Sequence, residues 1–383
     1  MKIGILVSHP TQVEAPFFRY ASEDKAHSLE IIYWDQRRAR ANHDPELKRV
    51  INWGIDLWGG YSSLVMPATR RASHLWHEIR AHRFDLLVVN GYNHWTLLLA
   101  VVIAHFAGSA TALRLDSVTA GASTGIKRRV KKQVLPALFG RYNAFLAAST
   151  LTKQYLIDHN VPPASIHYFT YAIDQAWFRA RSSLTGAEYA AVKHRFGLCK
   201  SKRLILAISK LNAREAPWDL LHAVNSLTAN DIEVLIVGDG EDRERVAERA
   251  RSSNIHVVCP GYVPYLNLPL LYGIANVFVH APRREPYGVS VAEALACGIP
   301  VIASSTVGSG SDLIVHGQNG FVYKLGDSQQ LTGYLTRALD ALDRSQCQQV
   351  SNAVLRRWDY EATWRSILEC ARQVCPGESI GRS

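Results

Sequence analysis

Two carboxylates, Glu285 and Glu293, stand eight residues apart in Arg284-Glu285-Pro286-Tyr287-Gly288-Val289-Ser290-Val291-Ala292-Glu293-Ala294-Leu295-Ala296-Cys297-Gly298. Val277-Phe278-Val279-His280 reads as a buried strand, 281–287 as a loop, 289–297 as a helix closed by Gly298, and Val301-Ile302-Ala303 as the next strand. Gly288 lets backbone approach an anion closely. The N–H groups of Val289 and Ser290, with the positive end of the helix dipole behind them, suit a phosphate. The carboxylates are then left for hydroxyls: Glu285 for a sugar ring, Glu293 for a ribose diol. A phosphorylated sugar meets both demands. An isolated pair of glutamates is more often two solvated charges, so the assignment needs support from the rest of the chain.

A diphosphate also needs positive charge. Ser209-Lys210-Leu211-Asn212-Ala213-Arg214-Glu215-Ala216-Pro217 follows the strand expected at 204–209 and supplies Lys210 and Arg214, which could equally be ordinary loop charges. A pair of aspartates separated by one residue, which would hold a metal beside a sugar, is missing. Asp239-Gly240-Glu241-Asp242 reads as helix capping, so metal-independent chemistry without a resident cofactor is expected. Gly238-Asp239-Gly240 lacks the third glycine of a dinucleotide fingerprint and is weak support for NAD.

Acceptor contacts are expected from earlier loops. Ser8-His9-Pro10-Thr11-Gln12 follows the first strand, and Asn90-Gly91-Tyr92-Asn93-His94-Trp95 follows a later one. His9, Thr11, Gln12, Asn93 and His94 are polar tips suited to a sugar, although either histidine could be structural. Residues 125–139 place five cations among apolar residues spaced three and four apart. Such a helix suits an anionic membrane, and equally a domain surface whose apolar side is its own core.

These residues need elements to carry them. Apolar strand-like runs alternate with helical stretches in two series, as in parallel sheets covered by helices on both faces. The first series is 2–8, 29–34, 86–90, 110–115, 144–147 and 166–169. The second is 204–209, 233–237, 255–259, 277–280, 301–303 and 320–323. A polar, helical stretch near 176–202 separates them, which places domains at 1–185 and 186–359, with 360–383 a helical tail that could return to the first domain.

A chain of 383 residues is long enough for two cores. No run of eighteen apolar residues occurs, 97–110 reads as a buried helix, and no secretory signal is visible, so a cytoplasmic protein, with the inner membrane face as a further option, is expected. Six scattered cysteines lack zinc or disulfide spacing. The net charge of +10 suggests an anionic partner; phosphates or acidic lipid fit, whereas no nucleic-acid recognition module is present.

The double-glutamate segment resembles the signature of retaining glycosyltransferase family 4. The resemblance extends through the 204–209 strand, Val234-Leu235-Ile236-Val237-Gly238-Asp239-Gly240, Pro260-Gly261-Tyr262-Val263 and His316-Gly317-Gln318-Asn319-Gly320-Phe321, in the family's order. It implies the GT-B fold, two Rossmann-like domains facing each other across a cleft, and transfer of a hexose from a nucleoside-diphosphate sugar to a glycan, lipid-linked or small-molecule acceptor. Glu285 would act on the transferring sugar; Gly238, Val263, Gly288, Val289, Ser290 and Glu293 would bind the donor. The family loop carries a basic residue followed by a second one five positions later; this chain has Lys210 and then Glu215, leaving Arg214 as the substitute. Where many relatives have histidine after the 110–115 strand, this chain has Asp116, which would orient a hydroxyl. A nucleotide-sugar isomerase of the same fold and a non-catalytic sugar-nucleotide-binding subunit are the alternatives.

Overall fold

The computed structural model describes residues 1–41, 43–44, 49–50, 54–69, 71–118, 126–215, 217–227 and 230–375, with side chains left undescribed at 40–41, 43–44, 49–50 and 126–132. Fifteen strands are present among them. In the first half they are β1 (Lys2–Val7), β2 (Ser28–Tyr33), β3 (His43–Asp44), β4 (Arg49–Val50), β5 (Ser62–Val65), β6 (Leu86–Asn90), β7 (Ala110–Leu115), β8 (Ala144–Ala147) and β9 (Ile166–Tyr168). In the second half they are β10 (Arg203–Ile208), β11 (Ile232–Val237), β12 (His256–Gly261), β13 (Val277–His280), β14 (Val301–Ser304) and β15 (Gly320–Tyr323).

Two parallel sheets result, in the order β5-β2-β1-β6-β7-β8-β9 and β12-β11-β10-β13-β14-β15, with β3 and β4 forming a small antiparallel ribbon. The short edge strand β5 was not expected from sequence; its half-exposed Ser62-Ser63-Leu64-Val65 lacks the apolar run that marks the central strands. Continuous burial of Ile3, Ile5, Leu6 and Val7, and of Leu204, Ile205, Leu206 and Ala207, follows from helices covering both faces of each sheet.

Each sheet has one place where the strand order reverses, between β1 and β6 in the first and between β10 and β13 in the second. Crevices open beyond the carboxyl ends of strands at such points. The four loops singled out above, after β1, β6, β10 and β13, all leave from these points.

The helix Gln175–Ser182 packs Phe178 into the second core beside Leu204, Tyr272 and Phe278, so that core begins upstream of residue 186. At the other end, the helix Tyr360–Val374 returns to the first domain: Trp364, Ile367 and Leu368 join Phe17, Phe18 and Phe169, and the Trp364 indole donates to Asp24 at 2.9 Å.

The stretch expected as a buried helix forms Trp95–Phe106, but it is buried on one side only. Leu97, Ala100, Val101 and Ala104 enter the core, while Trp95, Leu98, Val102 and Phe106 are 54%, 38%, 46% and 78% exposed. Spacings of three, four and four residues put these four in one stripe. The uniform hydropathy of this segment hid which side faced out. Among the described residues no helix is long and apolar enough to cross a membrane.

Candidate active site

The β13 loop holds Glu285 firmly. Its backbone bridges to Val307, and its carbonyl accepts from Gly308 N at 3.1 Å. Its Oε1 accepts from Tyr287 N at 3.4 Å, and Oε2 lies 3.9 Å from His280 Nε2. Burial first, and then the neighbouring negative charge of Glu215, push the Glu285 carboxyl up to about 7.

His280 was read from sequence only as the last residue of a strand. Burial alone pushes its imidazole down to about 4, and its buried Nε2 has no hydrogen-bond partner. A neutral ring with an unsatisfied nitrogen beside Glu285 is a polar group left over by the fold, of the kind a ligand satisfies. The available signal was a histidine closing an otherwise apolar strand five residues before Glu285.

Gly288 adopts φ +87, and a Cβ there would lie 2.7 Å from Val307 Cγ1 and 3.3 Å from Glu285 Cγ. Only glycine lets the chain turn there. The helix Val289–Ala296 starts without a side-chain cap, so the first amides of Val289 and Ser290 are not occupied by one. Glu293, on that helix, is buried; its Oε2 accepts from the Tyr272 hydroxyl at 2.8 Å. Burial pushes it up to about 7 against the opposing pull of that hydrogen bond.

Gly238 and Gly240 seat the loop after β10. A Cβ on Gly238 would fall 1.8 Å from the Ser209 carbonyl oxygen, and one on Gly240 2.4 Å from that of Leu211. Leu211 N donates to Asp239 O at 2.9 Å, and Asp242 N to Leu211 O at 2.8 Å. These two glycines therefore make room for the strand-end loop that carries Lys210. The expected capping by the acidic string is corrected: Asp242 precedes the helix Arg243–Arg251 without a side-chain cap, because Arg245 takes its carboxylate at 2.6 Å. Val263, just beyond β12, is buried in the second core.

Arg214 is less available than its position suggests. Asn212 Oδ1 accepts from Arg214 N at 3.0 Å and Glu215 N at 2.9 Å, closing a tight turn, and the Arg214 guanidinium donates to the buried Glu215 carboxylate. Arg283 N donates to Arg214 O at 2.8 Å, which fastens this turn to the Glu285 loop. Charge that could face a diphosphate is thereby partly neutralised.

On the opposing domain, a cavity of about 810 Å³ lies at the first switch point, lined by Ser8, Trp34, Asn93, His94, Asp116 and Tyr171 among others. Asn93 and His94 were expected there. His94 also supports the fold, since its Nδ1 accepts from Thr96 N at 3.2 Å at the start of a helix and its ring stacks on Trp34 at 4.3 Å. His9, Thr11 and Gln12 lie outside the lining. Thr11 Oγ1 accepts from Glu14 N at 3.1 Å, and His9 Nδ1 lies 2.7 Å from Ser8 Oγ, so these two atoms face neighbouring protein groups.

Asp116 accepts from the Tyr171 hydroxyl at 3.2 Å, and its charge reaches Glu285, where it adds to the upward push. Tyr171 in turn packs on Tyr287 of the loop after β13, with ring centroids 5.2 Å apart. Beneath them the buried Arg114 pairs with Glu14 and lies between the rings of Phe169, 3.8 Å away, and Tyr171, 4.6 Å away. Sequence reasoning missed this pair, although an arginine inside the apolar strand β7 was its signal. A direct link closes the far side: Thr150 N donates to Asp312 Oδ2 at 2.9 Å across the two domains. The geometry thus sets an uncapped helix start, the Glu285 carboxyl and a neutral histidine near an acidic and aromatic wall, while Glu293 is buried against Tyr272.

Residues 191–354 match the family described as Glycosyl transferases group 1. The chain is 26% identical over 156 residues to the N-acetyl-alpha-D-glucosaminyl L-malate synthase of Bacillus anthracis, covering 39% of each protein. It is 26% identical over 227 residues to the D-inositol 3-phosphate glycosyltransferase of Thermomonospora curvata, covering 55% of this chain and 52% of that one. The chain therefore spans about half, or less, of the length of these curated relatives. Over whole structures it resembles a glycosyltransferase from Rickettsia africae, with TM-score 0.75 and 15% identity over 97% of this chain and 98% of that one. It likewise resembles Anabaena Alr3699/HepE, solved in complex with UDP and glucose, with TM-score 0.73 and 14% identity over 97% of this chain and 100% of that one. At such identities these likenesses show the fold, two Rossmann-like domains of the GT-B type.

Proposed function

Because residues 191–354 form a glycosyl transferases group 1 domain, we propose that the chain moves a hexosyl group from a nucleoside-diphosphate sugar to an acceptor hydroxyl, with retention and without a metal. One observation carries this reading: Glu285 and the uncapped helix start after Gly288 lie on one loop, and Asp116 of the other domain is joined to that loop through Tyr171 and Tyr287. The bond from the anomeric carbon to the diphosphate oxygen breaks, and the diphosphate leaves with the electron pair toward Lys210, Arg214 and the amides of Val289 and Ser290. The acceptor oxygen bonds to the same face of that carbon, and its proton passes to the departing diphosphate. Glu285 holds the hydroxyls of the transferring sugar, and Glu293 the ribose. Fixed positive charge where the leaving group gains its negative charge is the largest contribution to rate in such a site.

The test is a panel of UDP-, GDP- and ADP-sugars, followed by thermal shift and by nucleotide release with and without acceptor extracts. Lys210→Ala is expected to lower release about a hundredfold. Glu215→Gln is expected to raise it, because Arg214 is then freed and one negative charge is removed beside the leaving group. Conversion of the donor with no acceptor present would favour an isomerase. The Arg214–Glu215 pair favours one further reading, a subunit that binds sugar nucleotide without turning it over; binding with no release from wild type or Glu215→Gln supports that instead.

A lipid-linked acceptor at an anionic membrane is supported by the exposed stripe Trp95, Leu98, Val102 and Phe106. The helix Trp95–Phe106 precedes β7 and the helix Ile126–Phe139 follows it. Leu97, Ala100, Leu135 and Phe139 share one core, so the two helices cover the same side of the sheet. The five cations expected to meet the membrane fall at 127–132, where side chains lie outside the described residues. Trp95→Glu with Phe106→Glu is expected to abolish sedimentation with phosphatidylglycerol vesicles while nucleotide binding stays intact. Unchanged sedimentation of that double variant would remove the membrane from the proposal.

A further inference from the structure

The cavity at the first switch point has a feature that neither acceptor hydroxyls nor the donor explain. Besides its polar and aromatic wall it is lined by three arginines, Arg37, Arg38 and Arg71, against two carboxylates, Asp35 and Asp116. Both carboxylates are engaged. Asp35 Oδ1 accepts from Arg38 N at 3.3 Å and its Oδ2 lies 3.5 Å from Arg38 Nε, while Asp116 accepts from Tyr171.

Arg71 lies beside an aromatic pair. Its guanidinium carbon lies 5.9 Å from the centroid of the Trp34 ring, which stacks in turn on His94. Its Nε is buried without a hydrogen-bond partner. Arg37 enters no ion pair with a described residue. A buried guanidinium nitrogen left unpaired is costly, and oxygen atoms of an anion are its natural complement, because the planar fork matches phosphate and carboxylate geometry.

We propose that this cavity selects an acceptor bearing an anionic substituent, a phosphate monoester or a carboxylate, with Arg71 and Arg37 gripping the anion. The reacting hydroxyl would then lie toward Asp116, the cavity's border with Glu285. The inference rests on the glycosyltransfer reading, which makes the bound molecule an acceptor; the anion site itself does not need it.

The experiment uses the full chain saturated with whichever of UDP, GDP or ADP stabilises it most, so that the diphosphate site is filled. Inorganic phosphate, glucose 6-phosphate, glucuronate and glucose are titrated by calorimetry into wild type, Arg37→Gln/Arg71→Gln and Arg71→Lys. Glucose 6-phosphate or glucuronate is expected to bind at least about tenfold more tightly than glucose, as charge-assisted bonds to guanidinium predict. That preference should vanish in the double variant, recover in part with Arg71→Lys, and leave nucleotide affinity unchanged in all three. If the double variant does not fold, Arg37→Gln/Arg38→Gln carries the same comparison on exposed positions.

Equal binding of charged and neutral probes to wild type, or a preference that survives the double variant, overturns the proposal. Failure of all three nucleotides to bind counts against the glycosyltransfer reading and leaves the probe comparison standing on its own. Displacement of glucose 6-phosphate by phosphatidic acid vesicles would support the proposal with the charge carried on lipid; no displacement would support it with the charge on a soluble acceptor.

Discussion

Glutamine in place of Glu285 is expected to lower transfer at least about a hundredfold while changing nucleotide affinity less than about twofold. Its amide can accept a hydrogen bond from a sugar hydroxyl, but it carries no charge to stabilise the positive character that develops at the anomeric carbon. The carboxyl of Glu285 is pushed up to about 7 by burial and by Glu215, so the ionised form becomes dominant only above that value. Wild-type rate should therefore rise with pH through about 7, and the residual rate of Glu285→Gln should lack that limb. Removing the like charge with Glu215→Gln should move the limb to lower pH. A flat wild-type profile, together with a glutamine variant as fast as wild type, would refute the assignment of Glu285.

Glu293→Gln is expected to make the ligand-free protein more stable at alkaline pH and to cost at least about tenfold in nucleotide affinity. The sign follows from linkage. Folded Glu293 titrates near 7 against an ordinary 4.5, so between those values the folded chain holds a proton that the unfolded chain has released. Stability then falls as pH rises through this window and stays low above it, by up to about 3 kcal/mol for one such group. Glutamine keeps an oxygen for the Tyr272 hydroxyl at no charge cost, so the melting temperature should rise above pH 7 and change little near pH 4. Glu285 titrates in the same window and adds to the slope. A Glu293→Gln protein that melts lower than wild type in alkali would show that burial does not strain this carboxylate. The stored cost is consistent with a group kept for binding at the expense of stability.

Much of the fold was legible because parallel strands buried on both faces appear as unbroken apolar runs, as in Leu86–Asn90 and Val277–His280. Edge strand β5 was not, since a half-exposed four-residue segment lacks that mark. Nor was the outward stripe of the helix Trp95–Phe106, where hydropathy is high all round and periodicity gives no direction. Glu285, Gly288 and Glu293 were singled out by type, spacing and the family resemblance, because one loop and one helix carry all three. Arg114 and Arg71 were not, because their surroundings, Glu14 and Trp34, come from far along the chain, and His280 was not, because only burial shows that its Nε2 is left unpaired.

The amino-acid order by itself determined the central strands, the glycine turns and the helix start after Gly288, because each depends on neighbours within a few residues. Only the tertiary structure decided which charges are spent inside the protein. Arg114 holds Glu14 from a hundred residues away, and Arg71 Nε is left without a partner. The reason is physical: whether a charged group serves a ligand or its own fold depends on desolvation and on partners brought in by long-range packing, and neither is written in local sequence.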